Sequence, residues 1–278
     1  MDERETKLNK NNELILLKLG GGLLTDKSKP LSLREAVVKS TVEQIINANK
    51  QMILIHGGGS FGHPLAKKYS VSQGINPSIP NQIFGFAETH HAMNKLNSYL
   101  VNFFLEKEYP TLSIQPSSIF IKDFHNYSLN SIDIIEAALD LKVMPILYGD
   151  VVLDKQGSFT IISGDQIIIE LCKNLKKYNV SKVIFATETD GIFINAADNK
   201  GNHIKLVDEI SFEELDGLDL ADLGHKIDVT GGIQGKIESI KELGRFNIPV
   251  QILNGLEEGN ILKSLTNKKI TSTYIKIK

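Results

Sequence analysis

The chain has little of what several classes of protein require. It contains one cysteine, Cys172, so no internal disulfide can form, and the surrounding apolar run IIIELCKNL predicts a buried side chain rather than a nucleophile. No apolar run approaches the ~20 residues that span a membrane. A net charge of -2 and 7% aromatic residues leave neither a basic surface nor enough rings for base stacking. We therefore expect no nucleic-acid partner, no membrane partner and a cytoplasmic location.

The chain is rich enough in apolar residues to fold around a large core. Hydrophobic residues make up 41% of its 278 positions, which suits one large α/β domain or two lobes. No repeat, low-complexity tract or linker divides residues 13–278, so we predict a single domain there. The polar start MDERETKLNKNN predicts a flexible leader over residues 1–12.

Two strand-like apolar runs each end in three consecutive glycines. Glu13 to Leu19 leads into Gly20, Gly21 and Gly22, and Ile53 to His56 leads into the run at 57–59. Glycines lack Cβ atoms, so a phosphate can lie directly against backbone N–H groups in both loops. Each run alone fits a tight strand-to-helix turn without a ligand equally well.

Cationic side chains and predicted helix ends lie near these glycines. Lys18 precedes the first run and Lys27 follows it. A helix that starts within 60–65 adds unpaired N–H groups to the second loop and places His63 at the mouth of the site. Apolar spacing over Leu31 to Lys50 predicts a helix between the two strands. The first half of the chain therefore predicts a βαβ unit with an anion loop after each strand.

An acidic residue is predicted at the start of a later helix. In the sequence SGDQ, Ser163 and Gln166 fit a capping box, which places Asp165 in the first helical turn and near the end of the preceding strand. Asp165 then either complements the helix dipole or orients cationic side chains. Both interpretations remain open from the local sequence alone.

Two further motifs carry candidate binding residues. The strand Val183 to Thr187 closes in TETDGIF, so Asp190 and Gly191 turn at the usual ligand edge of an α/β sheet. The sequence DVTGGIQGK leads into a helix with Lys236 in its first turns. It is not a Walker P-loop, because Thr230 occupies the position of the first glycine. Such sites stabilise spread negative charge, as phosphoryl transfer requires.

The remaining patterns predict ordinary elements. Turn formers predict surface loops at 70–81 and 195–202, and the adjacent His90 and His91 fall on different faces of a helix, which argues against a metal pair. The other predicted elements are a helix at 82–107, a strand at 111–114, a helix at 131–141, a strand at 143–148, a hairpin at 151–162 and strands at 249–253 and 273–277.

The motifs taken together resemble a known family. LKLGGGLLTDK, IHGGGSFGH, ISGDQI, TDGIF and VTGGIQGK, in this order and spacing, resemble the amino acid kinase superfamily and, within it, the archaeal-type isopentenyl phosphate kinases. The resemblance implies an α/β fold, a three-layer α/β/α sandwich with a mostly parallel central sheet, in a homodimer. It also implies transfer of the γ-phosphate of ATP, with Mg²⁺, to the small-molecule substrate isopentenyl phosphate.

The resemblance also implies roles for particular residues. Three lysines hold the phosphates, Asp165 orients the lysines, and His63 contacts the acceptor or the transferring group. The implied catalytic residues are Lys18, Lys27, His63, Asp165 and Lys236. The implied acceptor-binding residues are Gly57, Gly58, Gly62, His63 and Gly164. The implied nucleotide-binding residues are Lys18, Gly20, Gly21, Gly22, Gly58, Asp190, Gly191, Gly231, Gly232 and Lys236. Gly22 departs from relatives, which often carry serine there.

Other members of the superfamily remain as alternatives. A fosfomycin-type kinase shares most of the pattern, and only the size of the apolar cavity distinguishes it. A noncatalytic nucleotide-binding or storage protein is disfavoured by the three retained lysines and Asp165. His63 favours a dianionic phosphate acceptor over the carboxylate acceptor of acetylglutamate kinase. Aspartokinase and glutamate 5-kinase are disfavoured because we expect no appended domain.

Overall fold

The computed structural model describes residues 13–198, 201–222 and 232–277. The predicted leader and the candidate nucleotide-binding residue Gly231 lie outside these ranges. The helices, numbered in chain order within the described residues, are α1 (Gly21–Leu24), α2 (Glu35–Ala48), α3 (Gly59–Lys68), α4 (Gln82–Leu105), α5 (Pro116–Ile119), α6 (Ile132–Asp140), α7 (Gly164–Asn174), α8 (Gly232–Leu243) and α9 (Asn260–Leu265). Short 3₁₀ turns occur at Val71–Gln73, Glu213–Leu215 and Gly244–Phe246.

A large, mostly parallel sheet runs through the described part of the chain. Its strands in spatial order are β12 (Glu209–Ser211), β14 (Ser272–Lys276), β13 (Val250–Asn254), β9 (Asn179–Thr187), β1 (Glu13–Leu19), β2 (Met52–His56), β6 (Met144–Tyr148) and β3 (Thr111–Ser113). Every neighbouring pair is parallel except β13 with β14. The predicted parallel sheet is therefore confirmed, with one antiparallel pair near its edge.

The sheet separates two apolar cores, because alternate residues of a strand point to opposite faces. In β1, Leu14 and Leu16 pack into one core with side chains of α6, α7 and α8. Ile15, Leu17 and Leu19 of the same strand pack into the other core with side chains of α2, α4 and α9. Two layers of helices with a sheet between them confirm the predicted three-layer sandwich.

Two smaller sheets flank this sandwich. One has the order β5 (Asn126–Leu129), β4 (Phe120–Asp123), β7 (Asp150–Asp154) and β8 (Ser158–Ile162), so the predicted hairpin at 151–162 is confirmed. The other pairs β10 (Phe193–Asp198) with β11 (Gly201–Leu206). The prediction of an irregular loop at 195–202 is therefore wrong for the described residues there. Antiparallel backbone pairing, such as Asn195 with Ile204, outweighs the turn-forming composition on which that prediction relied.

Glycines follow four parallel strands at the same edge of the sheet and continue the hydrogen-bond ladder. Gly20 after β1 donates to the Ala186 carbonyl at 2.8 Å, and Gly57 after β2 donates to the Leu19 carbonyl at 3.0 Å. The same pattern occurs for Gly149 after β6 and Gly255 after β13. The carboxyl ends of the strands therefore form one floor that lacks side chains at several positions.

Two helices begin at positions that differ from the prediction. The helix predicted from Leu31 begins at Glu35, because Leu33 forms a β-bridge with Thr25 and Leu31 adopts a positive φ of 52°. Helix α3 begins at Gly59, just before the predicted range of 60–65, and His63 lies within this helix. No helix of the described residues has the length and apolar character needed to cross a membrane.

Candidate active site

A cavity of about 710 Å³ opens at the carboxyl edge of the large sheet. It lies where the glycine turns after β1 and β2 meet the first turns of α3 and α7. The side chains of Lys18, Lys27, His63, Asp165 and Lys236 all line it. These are the five residues predicted to be catalytic, and the structure brings them together from five separate parts of the chain.

The floor of the cavity holds a buried cluster of two lysines around one carboxylate. Lys18 Nζ donates a hydrogen bond to Asp165 Oδ1 at 2.5 Å, and Lys236 Nζ lies 3.6 Å from the same oxygen. The Phe185 ring underlies both ammonium groups, with its centroid 5.8 Å from Lys18 Nζ and 4.6 Å from Lys236 Nζ. Two cations thus share one anion, which leaves this cluster with a net positive charge.

Burial and neighbouring charges set the ionisation of this cluster. Burial alone would raise the pKa of the Asp165 carboxyl, but the Lys18 and Lys236 ammonium groups lower it overall. For Lys236, burial is the largest effect and, together with the like charge of Lys18, lowers the pKa to about 8, although Asp165 acts in the opposite direction. An incoming phosphate would favour the charged form of Lys236.

Asp165 has its predicted position in the first turn of α7. Ser163 is the N-cap residue, and its hydroxyl accepts a hydrogen bond from the Gln166 backbone N–H at 3.1 Å, as predicted. The side-chain amide of Gln166 donates instead to the Glu170 carboxylate at 3.2 Å. The cap fixes the start of the helix, which holds the Asp165 carboxylate within reach of both lysines.

The turns after β1 and β2 require glycine because the backbones of the two turns pack directly against each other. A Cβ atom on Gly21 would lie 2.2 Å from the Gly59 backbone nitrogen, and one on Gly57 would lie 2.9 Å from the Gly21 nitrogen. A Cβ on Gly164 would lie 3.0 Å from Cε of Lys18. Side chains at these positions would push the two glycine turns apart and displace Lys18.

His63 lies beside the second glycine turn. A Cβ on Gly58 would approach the His63 ring at 3.4 Å and the Met93 sulfur at 3.1 Å, and one on Gly62 would lie 2.6 Å from that sulfur. Met93 belongs to α4, which packs against α3. Met93, Ala66 and Ile161 add apolar surface to the cavity lining. This side of the cavity therefore combines backbone donors, an imidazole and an apolar wall.

Lys27 lies at the opposite side of the first glycine turn and is partly exposed. Its Nζ contacts Glu188 Oε2 at 2.8 Å, and Arg34 Nη2 contacts Glu188 Oε1 at 3.1 Å. Glu188 follows directly after β9 and lines the cavity. Neither Glu188 nor Arg34 was predicted from the sequence.

Most of the residues predicted to bind ligands line the cavity. They are Lys18, Gly20, Gly21, Gly22, Gly57, Gly58, Gly62, His63, Gly164, Gly191 and Lys236. Among the described residues, Asp190 is not part of this lining, Gly231 lies outside the described residues, and a binding role of Gly232 stays a prediction. After β9 the chain bends so that Glu188, Thr189 and Gly191 line the cavity. A Cβ on Gly191 would lie 2.2 Å from Thr273 Oγ1, so close packing on β14 also requires this glycine.

A further carboxylate in the lining, Asp150, was not predicted. Its side chain is buried, and Oδ1 lies 2.9 Å from Nδ1 of His90, while Oδ2 accepts from the Ser117 backbone N–H at 3.2 Å. The hydrogen bond to Asp150 raises the pKa of His90. His91 is exposed, so the two histidines do point in different directions. The signal for Asp150 was its position directly after β6 and Gly149.

Cys172 lies half-buried beside the core rather than fully buried as predicted. Burial raises the pKa of its thiol to about 12, which leaves almost no thiolate at neutral pH. Among the described residues, no three His, Cys, Asp or Glu side chains are grouped closely enough to hold a metal ion.

Comparisons with known proteins agree with this architecture. The model of the amino acid kinase family matches residues 13–254. Isopentenyl phosphate kinase from Methanocaldococcus jannaschii is 34% identical over 91% of this chain and 95% of its own length, and the enzyme of that name from Methanothermobacter thermautotrophicus is 33% identical over 94% and 98%.

A solved structure shows the same fold. An X-ray structure of isopentenyl phosphate kinase superposes with a TM-score of 0.78 at 30% identity, covering 95% of this chain and all of that one. The chain therefore belongs to the amino acid kinase family.

Proposed function

We propose that this chain is an isopentenyl phosphate kinase, which transfers the γ-phosphate of ATP to isopentenyl phosphate and releases isopentenyl diphosphate and ADP. The observation that carries the proposal is the contact of Lys18 and Lys236 with one buried carboxylate, Asp165, at the floor of the cavity. Relatives named isopentenyl phosphate kinase, 33% and 34% identical to this chain over nearly its whole length, support the choice of acceptor.

Phosphoryl transfer depends mainly on stabilisation of the negative charge on the transferring group. Negative charge spreads over the oxygens of the transferring group, and a site with fixed cations and backbone donors lowers the barrier without forming a bond to the protein. Lys18 and Lys236 supply these cations, and Asp165 keeps their ammonium groups together at one point. Lys27 approaches the phosphates from the other side of the first glycine turn.

The acceptor needs no general base. Its attacking atom is a phosphate oxygen, which is largely anionic at neutral pH because the second phosphate pKa is ≈ 6. We propose that the turn at Gly57 and Gly58, with Gly62, Gly164 and His63, holds the acceptor phosphate. The imidazole of His63 donates a hydrogen bond to that phosphate.

The cavity wall suits an apolar tail. Met93 lies against Gly58 and Gly62 on the His63 side, and Ala66 and Ile161 extend the apolar lining. An isoprenoid tail would bury apolar surface here, whereas the second carboxylate of acetylglutamate would lose its hydration. This contact favours isopentenyl phosphate over a carboxylate acceptor.

ATP is proposed to bind on the side of the cavity away from His63, mainly to the carboxyl-terminal half of the domain. Gly20, Gly21 and Gly22, from the first half, would contact its phosphates, and Gly191, which also lines the cavity, would lie near them. Mg²⁺ bound to the phosphates of ATP would supply further positive charge there. Among the described residues, no group of three His, Cys, Asp or Glu side chains could hold the ion.

Assembly, domain organisation and location belong to the same proposal. The resemblance supports a homodimer built from one domain over residues 13–278, with an acceptor-binding first half and a nucleotide-binding second half. The single cysteine is compatible with a cytoplasmic location. Sedimentation equilibrium at micromolar protein would show a dimer mass if the proposed assembly is right.

One assay tests the reaction itself. ATP consumption is measured with isopentenyl phosphate, fosfomycin and acetylglutamate side by side, each over the same concentration range. We expect the highest kcat/KM with isopentenyl phosphate and formation of its diphosphate. A higher kcat/KM with fosfomycin would assign the chain to the fosfomycin-type kinases, and ATP binding without turnover on any acceptor would support a noncatalytic protein.

A further inference from the structure

The carboxylate of Glu188 joins two cations at the rim of the cavity. One oxygen, Oε2, lies 2.8 Å from Lys27 Nζ, and the other, Oε1, lies 3.1 Å from Arg34 Nη2. The three residues come from different parts of the chain, because Glu188 follows β9, Lys27 follows α1 and Arg34 precedes α2. Each oxygen of the carboxylate therefore serves one cation.

Arg34 holds its end of this bridge firmly. Its Nε donates to the Thr25 carbonyl at 3.1 Å, and its backbone N–H donates to the Leu24 carbonyl at 2.8 Å. The backbone of Arg34 is thus anchored and its guanidinium is held at Nε, so the remaining N–H groups point in a defined direction. Glu188 is thereby held on one oxygen, and the other oxygen is held over the first glycine turn.

Gly22 provides the space in which this bridge lies. A Cβ atom on Gly22 would lie 1.9 Å from Glu188 Oε2, 2.5 Å from its Cδ and 2.6 Å from Lys27 Cε. The φ of Gly22 is outside the left-handed region, so an L side chain would be allowed by the backbone. The backbone would therefore allow a side chain at this position, but Glu188 and Lys27 occupy the space that it would take.

We propose that Glu188 is a positioning residue for Lys27, and that Gly22 is glycine because this carboxylate and lysine occupy the space above it. The inference rests on the proposed phosphoryl transfer, to which it adds the way in which one cation is held. A lysine has a long flexible stem, and fixing its ammonium group before the phosphates bind lowers the entropic cost of ordering it later.

Arg34 also explains why a carboxylate can stand so close to a phosphate site. When negative charge builds up on the transferring group, Lys27 moves from Glu188 to the phosphate oxygens. Arg34 stays on the other carboxylate oxygen and keeps Glu188 neutralised, which limits its repulsion of the phosphates. The bridge thus makes Lys27 available to the substrate, while Arg34 stays paired with Glu188.

A solvent-exposed ion pair without a function would behave differently. Such pairs contribute little to folding stability and their loss leaves kinetics unchanged. The chain offers a matched example in Glu35 and Lys39, an exposed pair 2.5 Å apart on α2 and outside the cavity lining. Glu35→Gln is therefore the control for Glu188→Gln.

The first measurement is steady-state kinetics with isopentenyl phosphate and ATP. We expect Glu188→Gln to lower kcat about tenfold, as for the loss of a hydrogen bond to a charged group, with KM for both substrates and the melting temperature nearly unchanged. Glu35→Gln should match the wild type. In a Lys27→Ala background, Glu188→Gln should have no further effect, because there is no ammonium group left to position.

A double-mutant cycle tests the role of Gly22. Gly22→Ala should lower kcat about as much as Glu188→Gln, because the added Cβ displaces the bridge. In a Glu188→Ala background the carboxylate is gone and Lys27 is no longer held over Gly22, so Gly22→Ala should cause no further loss. Full additivity of Gly22→Ala with Glu188→Ala, or of Glu188→Gln with Lys27→Ala, would overturn the inference.

A second readout separates this inference from the proposed function. Acetylation of individual lysines by acetic anhydride is followed by mass spectrometry. Loss of the carboxylate partner should speed acetylation of Lys27 in Glu188→Gln and of Lys39 in Glu35→Gln. Each variant should leave the acetylation rate of the other lysine unchanged. A wild type inactive on isopentenyl phosphate would refute the proposed function alone. A Lys27 rate or a kcat that Glu188→Gln does not change would refute the positioning role alone.

Discussion

Lys18 and Asp165, which are 147 positions apart in the chain, meet at the cavity floor through a hydrogen bond of 2.5 Å. Lys18 is the penultimate residue of β1, and Asp165 lies in the first turn of α7. The bond ties the strand to the helix and leaves the second cation, Lys236, 3.6 Å away from the same oxygen. The ionisation of these three groups should govern how activity depends on pH.

Lys236 should set the alkaline limit of the reaction. Burial lowers its pKa to about 8, and only the charged form stabilises the transferring group. We expect kcat/KM, which reports on the free enzyme, to be constant just below this pH and to fall as the pH rises through about 8. The limb in kcat should lie at higher pH, because bound phosphate favours the ammonium form.

Lys236→Arg provides the check on that assignment. A guanidinium stays charged to a pH above ~12, so the alkaline limb should move out of the accessible range even if kcat falls. The measurement is the pH profile of kcat/KM for both proteins between pH 6 and pH 10. This range brackets the Lys236 pKa of about 8. An unchanged limb in Lys236→Arg would assign it to another group.

Asp165→Asn should lose activity through misplacement of the lysines. A displacement of the order of 1 Å in a catalytic group can cost about 100-fold in rate, and we expect a loss of this size in kcat. Because Asp165 raises the pKa of Lys236, its loss should also shift the alkaline limb to lower pH. The acidic limb should stay where it is. Disappearance of the acidic limb would identify Asp165 as a general base instead.

The parts of the fold that depend on local pattern could be predicted from the sequence. Apolar runs that stop at glycine gave β1 and β2, and the cap at Ser163 gave the start of α7. The hairpin of β10 and β11 was missed, because its strands contain residues typical of turns and are held by pairing with each other. Propensity is a weak guide wherever cross-strand contacts decide.

The candidate site divides in the same way. Lysines next to glycine turns are visible as motifs, so Lys18 and Lys236 could be selected. Glu188 could not, because its significance depends on Lys27 and Arg34, which lie 161 and 154 positions away. In TETDG the sequence offers two acids, and the bend after β9 decides that Glu188 enters the lining.

Lys27 should act on charge that develops during transfer. Lys27→Ala is expected to lower kcat by roughly 10²–10³-fold, the loss typical for removal of one donor to a developing charge, and to raise KM for ATP much less. The exposed Lys39→Ala, on α2, should match the wild type. Steady-state kinetics at saturating isopentenyl phosphate measure both constants. A kcat equal to that of the wild type would remove Lys27 from the catalytic set.

His56 should make the protein less stable in mild acid. It is fully buried at the end of β2, stacked on Tyr148 with ring centroids 5.4 Å apart, and burial lowers its pKa to about 4. The unfolded chain, with a histidine pKa near 6.5, binds more protons between these values. The free energy of unfolding should therefore fall as pH drops through this window, by up to about 1.4 kcal/mol per pH unit.

Urea unfolding at pH 7 and at pH 4.5 measures this effect. The lower pH lies between the ordinary histidine pKa of 6.5 and the pKa of about 4 that His56 has in the folded protein. His56→Gln keeps a polar side chain that does not titrate, so its stability should change less between the two pH values, although it starts from a lower value at pH 7. The exposed His91→Gln is the control and should follow the wild type. A pH dependence in His56→Gln equal to that of the wild type would locate the proton uptake elsewhere.

His63 should contribute a hydrogen bond to the acceptor phosphate. It lies in the first half of α3, and its ring stands beside Gly58 in the cavity lining. A hydrogen bond to a charged group contributes about 1.5 to 3 kcal/mol, so His63→Ala should lower kcat/KM for isopentenyl phosphate by roughly 10- to 150-fold. KM for ATP should stay nearly constant, because His63 is proposed to contact the acceptor and not the nucleotide.

Conservative variants separate donation from proton transfer at His63. Glutamine and asparagine can donate a hydrogen bond but cannot act as a base near neutral pH, so His63→Gln or His63→Asn should recover part of the activity. His125→Ala, in the exposed turn between β4 and β5, should match the wild type. If His63→Gln were as inactive as His63→Ala, a proton-transfer role would be favoured. If His63→Ala kept full activity with the fold intact, His63 would be structural and the phosphate acceptor would lose its main residue-level support.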